Sequence, residues 1–130
     1  MRIVVFMLAA ALAGGAAADP AFHPHRNKPQ SQVGKASIYA KKFAHRTMAN
    51  GRRMDPNHDN AASKTLPLGS KALVKNLETG KSAVVTIEDR GPFVAGRIVD
   101  LSPATAGQIG LEEKRGLATV EVTPLQVANE

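Results

Sequence analysis

The stretch Lys81-Ser-Ala-Val-Val-Thr-Ile-Glu-Asp-Arg-Gly-Pro-Phe93 decides the fold of this chain. Apolar and polar side chains alternate up to Asp89, which predicts a strand with one buried face. The residues predicted on the inner face are Ala83, Val85 and Ile87, and Asp89 continues that face. Gly91-Pro92 then ends the strand, because proline cannot donate to a sheet ladder and the pair favours a turn. The buried side of the strand therefore ends in an acid, which is either half of a structural ion pair or a catalytic group.

Further short elements are predicted on both sides of this stretch. The patterns favour strands over 36–40, 71–77, 97–101 and 117–123. Ser102-Pro103 places a capping hydroxyl before a proline at the first helical position, which predicts a short helix over 103–109. Five or more short strands in one domain predict a mainly β protein that closes into a small barrel.

The segment 41–70 has a different character, because it is polar and has few apolar residues to bury. Asn50-Gly51 is a strong turn signal, and Pro56 interrupts any strand. A long polar loop inside a compact domain is usually functional, so we expect this one to wall the groove into which Asp89 points. The loop also carries a basic cluster of five residues: Lys41, Lys42, Arg46, Arg52 and Arg53. By default this cluster is a solvated face, and the alternative is a surface that binds an anionic polymer.

The first residues have the features of a targeting segment. A positive charge at Arg2, an apolar stretch and the small residues Ala16-Ala17-Ala18 predict a signal peptide over 1–18. The stretch is too short for a membrane span. Residues 19–33 are rich in Pro, His, Asn and Gln and predict a flexible polar linker before a domain over 34–126. We therefore expect an exported protein, periplasmic or secreted and associated with the cell wall.

Composition narrows the possible partners. The formal net charge is +6, and the chain has no Cys, which excludes disulfides and a lipid anchor on an N-terminal Cys. An exported basic protein rarely meets nucleic acid, so the expected polyanions are cell-wall polymers, anionic lipid headgroups and acidic glycans. The chain has one Tyr, four Phe and no Trp, which argues against a deep cleft lined by aromatic rings. His23 and His25 lack further ligands, so no metal and no cofactor is predicted.

Six ordered motifs resemble one known family. They are Ala36-Ser-Ile-Tyr39, Met48-Ala-Asn-Gly51, Ala61-Ala-Ser-Lys-Thr-Leu-Pro-Leu-Gly69, Val74-Lys-Asn-Leu77, Asp89-Arg-Gly-Pro-Phe93 and Arg97-Ile-Val-Asp-Leu-Ser102. Together they resemble the rare lipoprotein A family of the bacterial envelope, which is similar in its barrel to plant expansins. The resemblance implies a six-stranded double-psi β-barrel with one or two short helices. It also implies a lytic transglycosylase that acts on peptidoglycan glycan strands stripped of their stem peptides.

The resemblance also suggests which residues do the chemistry. Asp89 is the candidate acid/base, with a structural ion pair as the alternative. Members usually carry His after the Ala-Ala pair, and here that position is Ser63. A hydroxyl cannot act as a general acid or base without a partner, so Ser63 is a second catalytic candidate that would need His45 or His58 to supply an imidazole.

Five further residues are predicted to contact substrate: Tyr39, Asn50, Arg90, Arg97 and Asp100. Each has a structural alternative. Tyr39 either stacks on a sugar or belongs to the core, and Asn50 forms a turn first and a groove wall second. Strand alternation turns Arg90 outward, Arg97 is expected in a salt bridge to one of the acids, and Asp100 is expected mainly as a structural hydrogen-bonding group.

These predictions favour an endolytic peptidoglycan transglycosylase that leaves 1,6-anhydro-muramyl ends and works as a monomer. Lytic cleavage does not require the paired carboxylates of most glycoside hydrolases, since one acid can protonate the glycosidic oxygen and then accept the proton of the C6 hydroxyl. Two alternatives stay open: a non-catalytic, expansin-like peptidoglycan-binding module, and an inhibitor or scaffold that uses the same surface for another envelope protein.

Overall fold

Six strands close into a barrel in the computed structural model, which describes residues 30–129. The strands are β1 (Gln32–Ile38), β2 (Asn60–Ala62), β3 (Lys71–Asn76), β4 (Ser82–Asp89), β5 (Arg97–Leu101) and β6 (Leu117–Gln126). Their order around the barrel is β1-β5-β2-β4-β3-β6, and β6 pairs with β1 to close it. The pairs β1–β5 and β2–β4 are parallel, whereas the other four are antiparallel. The prediction of a six-stranded, mainly β double-psi barrel is confirmed.

Two short helical elements accompany the strands within the described residues. The α-helix α1 spans Pro103–Gln108, and Ser102 caps it by accepting a hydrogen bond of 3.2 Å from the Thr105 N–H at its side-chain oxygen. This is the helix start that the Ser-Pro pair predicts. A single 3₁₀ turn, Lys41–Phe43, follows β1.

The core fills the inside of the barrel with small and medium-sized apolar side chains. Along β4 the alternation is as predicted, because Ala83, Val85 and Ile87 are buried whereas Val84 is exposed. Burying a Val or Ile side chain contributes about 1.5–3 kcal/mol, so Val85 and Ile87 hold the strand that ends at Asp89 firmly. The acid therefore sits on a rigid support.

Strand β2 lies inside the segment that we predicted to be a polar loop, and that prediction is wrong for these three residues. All three are buried, and they pair with both β4 and β5. The three residues Asn-Ala-Ala are too few to show an alternating pattern, and neither Asn nor Ala favours strands. They form a strand only because they pair with two neighbouring strands. Strand β2 thus completes the barrel at a place where the local sequence gives no signal of a strand.

Strands β1 and β6 extend beyond the ends predicted for them. Strand β1 begins at Gln32, two residues inside the predicted linker, and β6 runs on to Gln126 instead of ending at Thr123. The predicted signal peptide over 1–18 and most of the linker lie outside the described residues. Among residues 30–129, no helix is long and apolar enough to cross a membrane.

A register slip between β2 and β4 sets the direction of the terminal acid. Ala61 pairs with Ile87, but the next residue, Ala62, pairs with Asp89, so Glu88 is the extra residue of a bulge. A bulge re-aims the side chains beside it. Here Glu88 lines one surface hollow and Asp89 lines another.

Candidate functional site

The chain between β1 and β2 forms a small hairpin that reaches β4. Its backbone bonds join the Met48 N–H to the Arg52 carbonyl and the Met54 N–H to the Arg46 carbonyl, each at 2.8 Å. Gly51 has φ +88, a conformation that glycine adopts without strain, and Asn50 Oδ1 accepts from the Arg52 N–H at 2.9 Å. The predicted Asn-Gly turn is confirmed.

The tip of this hairpin rests against the end of β4. The Asn50 N–H donates to the Glu88 carbonyl at 3.1 Å, and the Ala49 N–H donates to Asp89 Oδ1 at 2.8 Å. Asn50 therefore contributes its backbone to holding the hairpin in place, while its side chain closes the turn.

Asp89 is a hydrogen-bond acceptor at both carboxylate oxygens. Oδ1 accepts from the N–H groups of Ala49 at 2.8 Å and Arg90 at 2.9 Å. Oδ2 accepts from the Tyr39 hydroxyl at 2.9 Å. Three donors from three parts of the chain fix the carboxylate, which points into a cavity of about 490 Å³ that we call the acid cavity.

Asp100, on β5, lines the same acid cavity. Its Oδ1 accepts from the Ser37 hydroxyl at 2.8 Å. Burial raises the pKa of Asp100 above its ordinary value, and the negative charge of Asp89 adds to the rise, while the Ser37 hydrogen bond and the Arg97 charge oppose it. Asp100 is thus both a structural acceptor, as predicted, and a carboxyl group whose pKa is raised by its surroundings.

Arg97 lies at the start of β5 and also lines the acid cavity. Its charge opposes the rise in the pKa of Asp100. Within residues 30–129, however, it makes no ion pair at contact distance with either acid, so the predicted salt bridge is wrong. The Arg97 side chain is therefore left for the alternative prediction, a contact with substrate.

Aromatic rings surround the two acids. Residues 30–129 contain three aromatic residues, Tyr39, Phe43 and Phe93, and all three line the acid cavity. Phe93 is 78% exposed and Phe43 is 39% exposed, so both rings present apolar surface to solvent. The scarcity of aromatic residues argued against an aromatic-lined cleft, but the fold gathers these few at one place.

Tyr39 takes the core position that was one of its two predicted roles, while stacking on a sugar stays a prediction. Its ring is 8% exposed and packs with Met48, Met54 and Ala62 in a small second core. Its hydroxyl reaches Asp89, and the ring edge meets Phe43 with the two centroids 6.5 Å apart. Burial, followed by the hydrogen bond to Asp89, raises the pKa of the Tyr39 hydroxyl well above its ordinary value. Tyr39 is therefore a neutral donor that holds the acid.

Ser63 occupies a buried turn directly after β2. It is 4% exposed, and its Oγ accepts from the N–H groups of Thr65 at 3.2 Å and Leu66 at 3.0 Å. The Ser63 N–H donates to the Asp89 carbonyl at 3.1 Å, so the residue lies beside the acid along the backbone. The geometry favours a role in shaping the turn, while the catalytic role stays a prediction.

Arg90 holds the other side of that turn. Its Nη1 donates to the carbonyls of Ser63 at 2.8 Å and Leu66 at 2.6 Å. The side chain lines the acid cavity while it anchors the 63–66 turn. A guanidinium on backbone carbonyls stabilises the wall of the cavity; its predicted contact with substrate is not tested by this arrangement.

The loop histidines and the basic cluster do not gather at the acids. His45 and His58 are exposed, neither lines the acid cavity, and His58 lies 3.5 Å from Asp55. The side chains of Lys42 and Arg46 lie over the Phe43 ring at 5.4 and 5.8 Å. Arg52 and Arg53 line the separate hollow beside Glu88. The predicted basic cluster is therefore divided between surfaces.

Sequence reasoning missed Ser37, Phe43 and Phe93 as parts of the site. A signal existed for two of them, because Ser37 and Phe93 belong to motifs that carry the family resemblance. Phe93 lies two residues after Gly91, whose positive φ of +120 belongs to the turn between β4 and the Phe93 ring at the cavity rim. Phe43 carried no signal, since only the packing of the 3₁₀ turn on Tyr39 places it there.

One known protein family matches most of the described chain. A family described as "Lytic transglycolase" matches residues 31–122, and its double-psi β-barrel is the fold observed here. No curated protein sequence matches significantly.

Solved structures of the same fold come from several kinds of protein. A Streptomyces papain inhibitor aligns with a TM-score of 0.58 and 22% identity over 75% of this chain and 96% of its own. Clavibacter michiganensis expansin aligns with a TM-score of 0.58 and 17% identity over 78% of this chain, which spans 53% of that protein. Cerato-platanin 3 from M. perniciosa has a TM-score of 0.53 and 15% identity over 73% of this chain and 95% of its own. At these identities the likeness shows a shared fold.

Proposed function

The chain belongs to the lytic transglycolase family of double-psi β-barrel proteins, and from this membership we propose that its acid cavity cleaves peptidoglycan glycan strands. The products would carry 1,6-anhydro-muramyl ends. The observation that supports this proposal is the gathering of two carboxylates and three aromatic rings in one open cavity. Sugar rings bind by apolar stacking combined with polar contacts, and acids cleave the bond between them.

The two carboxylates have environments suited to different tasks. A group that protonates the glycosidic oxygen must hold a proton near the working pH, and the raised pKa of Asp100 favours this. Asp89 accepts three hydrogen bonds and offers fixed acceptor oxygens at the same cavity. We assign proton donation to Asp100 and stabilisation of the positively charged, oxocarbenium-like transition state to Asp89.

This assignment changes the sequence-based hypothesis without removing Asp89 from the site. The sequence favoured Asp89 as the acid/base because it ends the strand in the strongest motif. In the folded chain, Tyr39 and two backbone N–H groups occupy the oxygens of Asp89, whereas Asp100 has one hydrogen bond, from Ser37, among residues 30–129. After cleavage, the Asp100 carboxylate would accept the proton of the muramyl C6 hydroxyl, which closes the anhydro ring.

The experiment that tests the proposal is a digest of amidase-treated, peptide-free glycan strands, with products read by mass spectrometry. We expect anhydro-ended fragments from the full chain and none from Asp100→Asn. Asp89→Asn should lower the rate by about 10²–10³-fold, the usual effect of losing one electrostatic group at the transition state. Glu121→Gln, which removes a carboxylate from β6 outside the acid cavity, should cleave like the parent. Bound glycan without fragments would reject cleavage.

One observation favours a second candidate, a non-catalytic peptidoglycan-binding module. The usual family His is replaced by Ser63, and neither His45 nor His58 lines the acid cavity. An expansin variant of the same fold has been solved with cellohexaose, with a TM-score of 0.58 and 15% identity to this chain. The same digest separates the two candidates, because a binding module would retain glycan without producing new ends. In either case we propose that the protein acts after export, at the cell wall.

A further inference from the structure

The acid cavity is lined by two guanidinium groups as well as two carboxylates. The four residues are Asp89, Arg90, Arg97 and Asp100. The Arg90 guanidinium donates to two backbone carbonyls of the 63–66 turn, at 2.8 and 2.6 Å, so its contacts hold the cavity wall. The Arg97 side chain differs, because it forms no hydrogen bond or ion pair within residues 30–129. The described part of the protein therefore leaves the positive charge of Arg97 without a paired anion.

A bulge in β5 brings Arg97 to the same cavity as Asp100. On β1, Lys35 pairs with Arg97, whereas the next residue pairs with Val99, so Ile98 is the extra residue of the bulge. Without that extra residue, strand alternation would place Arg97 and Asp100, three positions apart, on opposite faces. With it, both side chains line the acid cavity. The pairing of β1 with β5 thus delivers a positive charge to the site.

The backbone on both sides of Arg97 is fixed by hydrogen bonds. The Arg97 N–H donates to the Val94 carbonyl at 3.1 Å, and the Lys35 N–H donates to the Gly96 carbonyl at 3.0 Å. Arg97 is half-buried, and its charge acts on Asp100, whose pKa it lowers against the effect of burial. A fully solvated arginine would be screened from that acid. Arg97 is therefore part of the cavity wall.

The substrate proposed for this cavity carries one ionised group in each disaccharide repeat. In a peptide-free strand, the lactyl group on O3 of each muramyl residue ends in a free carboxylate, whereas the hydroxyl and N-acetyl groups are neutral. Ionised acids in the cavity would repel this carboxylate unless a cation met it. A stem peptide converts the same carboxyl group into a neutral amide. The charge of the lactyl group therefore distinguishes a peptide-free strand from a peptide-bearing one.

We propose that Arg97 binds the lactyl carboxylate of a peptide-free muramyl residue and so selects glycan strands without stem peptides. The inference rests on the proposed function, because it requires glycan in the acid cavity. A guanidinium can donate two parallel hydrogen bonds to a carboxylate, and such charge-assisted bonds are about twice as strong as neutral ones. The amide of a peptide-bearing residue offers Arg97 a neutral acceptor instead. The contact would also hold the muramyl residue beside Asp89 and Asp100.

The test compares two peptide-free tetrasaccharides that differ at one group. One has free lactyl carboxylates, and in the other these are primary amides, which have nearly the same size and no charge. Titration calorimetry uses the full chain with Asp100→Asn, which removes the assigned proton donor, so that no bond breaks during the titration. We expect the carboxylate form to bind about 5- to 10-fold more tightly, the difference between a charge-assisted and a neutral contact.

Two variants of this background assign the difference to Arg97. Arg97→Gln should bind both tetrasaccharides with the affinity that the background shows for the amide form. Its unfolding temperature should be unchanged, because the Arg97 side chain has no partner among residues 30–129. Lys75→Gln is the matched control, because it removes the same charge from β3 outside the acid cavity and should keep the preference.

The outcomes separate this inference from the proposed function. Equal affinity for the two tetrasaccharides, or a preference that survives Arg97→Gln, would overturn the role of Arg97 while leaving glycan binding at the acid cavity intact. The same loss of preference in Lys75→Gln would also overturn it, because the effect would then follow the net charge of the protein. Binding of neither tetrasaccharide would overturn the proposed function and the inference with it.

Discussion

The Tyr39 hydroxyl donates a hydrogen bond of 2.9 Å to Oδ2 of Asp89, across 50 positions of sequence. This bond joins the residue that follows β1 to the last residue of β4. Tyr39 is buried in the second core, so its position is set by packing, and the position of the acid follows from it. The candidate site is thus supported by a residue whose ring belongs to the interior.

Tyr39 should resist ionisation at alkaline pH. Burial and the bond to Asp89 raise its pKa above the ordinary value of 10.0, so the folded state favours the neutral hydroxyl, and stability is lost as the pH rises above that value. Tyr39 is the single tyrosine of the chain, so phenolate absorbance reports on it alone. We expect no phenolate in the folded protein at about pH 10 and a normal titration in urea. Asp89→Asn, which removes the negative charge, should lower the apparent pKa; an unchanged curve would contradict the contact.

Asp100→Asn should stabilise the protein at neutral pH and not at acid pH. The pKa of Asp100 is raised above 3.8 chiefly by burial, so the protonated form is favoured on folding. Its contribution to stability is complete below 3.8 and is lost as the pH rises through the folded-state pKa. The amide keeps an acceptor for Ser37 and carries no charge. Urea unfolding at about pH 3 and about pH 7 measures the difference, and equal effects at both would refute the burial of a charge.

Ser63→Ala should lower the free energy of unfolding by about 1–3 kcal/mol, because one buried and one part-buried N–H group would lose their acceptor. Those donors belong to Thr65 and Leu66. Ser63→Thr keeps the hydroxyl and serves as the matched control. Chemical denaturation gives the stability, and a cleavage assay below the unfolding temperature gives the rate. A variant with parental stability and no cleavage would instead support a direct catalytic role for this hydroxyl.

Phe93→Ala should weaken glycan binding by about 5- to 10-fold without a measurable change in stability. The ring is 78% exposed, so its loss leaves no cavity in the core, but it removes apolar surface at the rim beside Asp89 and Asp100. Leu125→Ala is the control, because Leu125 is 55% exposed on β6 and lies away from the acid cavity. Isothermal titration with peptide-free oligosaccharide provides the readout. Equal losses in both variants would argue against stacking on Phe93.

Local sequence patterns correctly predicted the elements that depend only on residues close together in the sequence. The alternation from Ser82 to Asp89, the Ser102 cap and the Asn50-Gly51 turn all appear as predicted. In each case the decisive interaction spans only a few residues: one buried face of a strand, one side-chain cap, one positive φ. Such interactions leave a pattern that can be read without knowing the fold.

Strand β2 and the bulge at Glu88 left no such pattern. Asn60–Ala62 becomes a strand because β4 and β5 supply its hydrogen bonds. In the same pairing, Glu88 is the extra residue of a bulge. As a result, Asp89 lines the acid cavity and Glu88 lines a separate hollow. A pairing between distant segments depends on barrel closure, which no local window contains.

The sequence alone determined the barrel class, the strand that ends in Asp89 and the motifs that resemble the family, because these depend on periodicity and on residue types at fixed spacing. Only the tertiary structure decided how the site is assembled. It placed Asp100 beside Asp89, gathered Tyr39, Phe43 and Phe93 around them, and gave Ser63 a buried turn to close. The physical reason is that burial, electrostatic coupling and contact between distant residues arise only when the barrel closes, so a pKa or a cavity cannot be assigned before that.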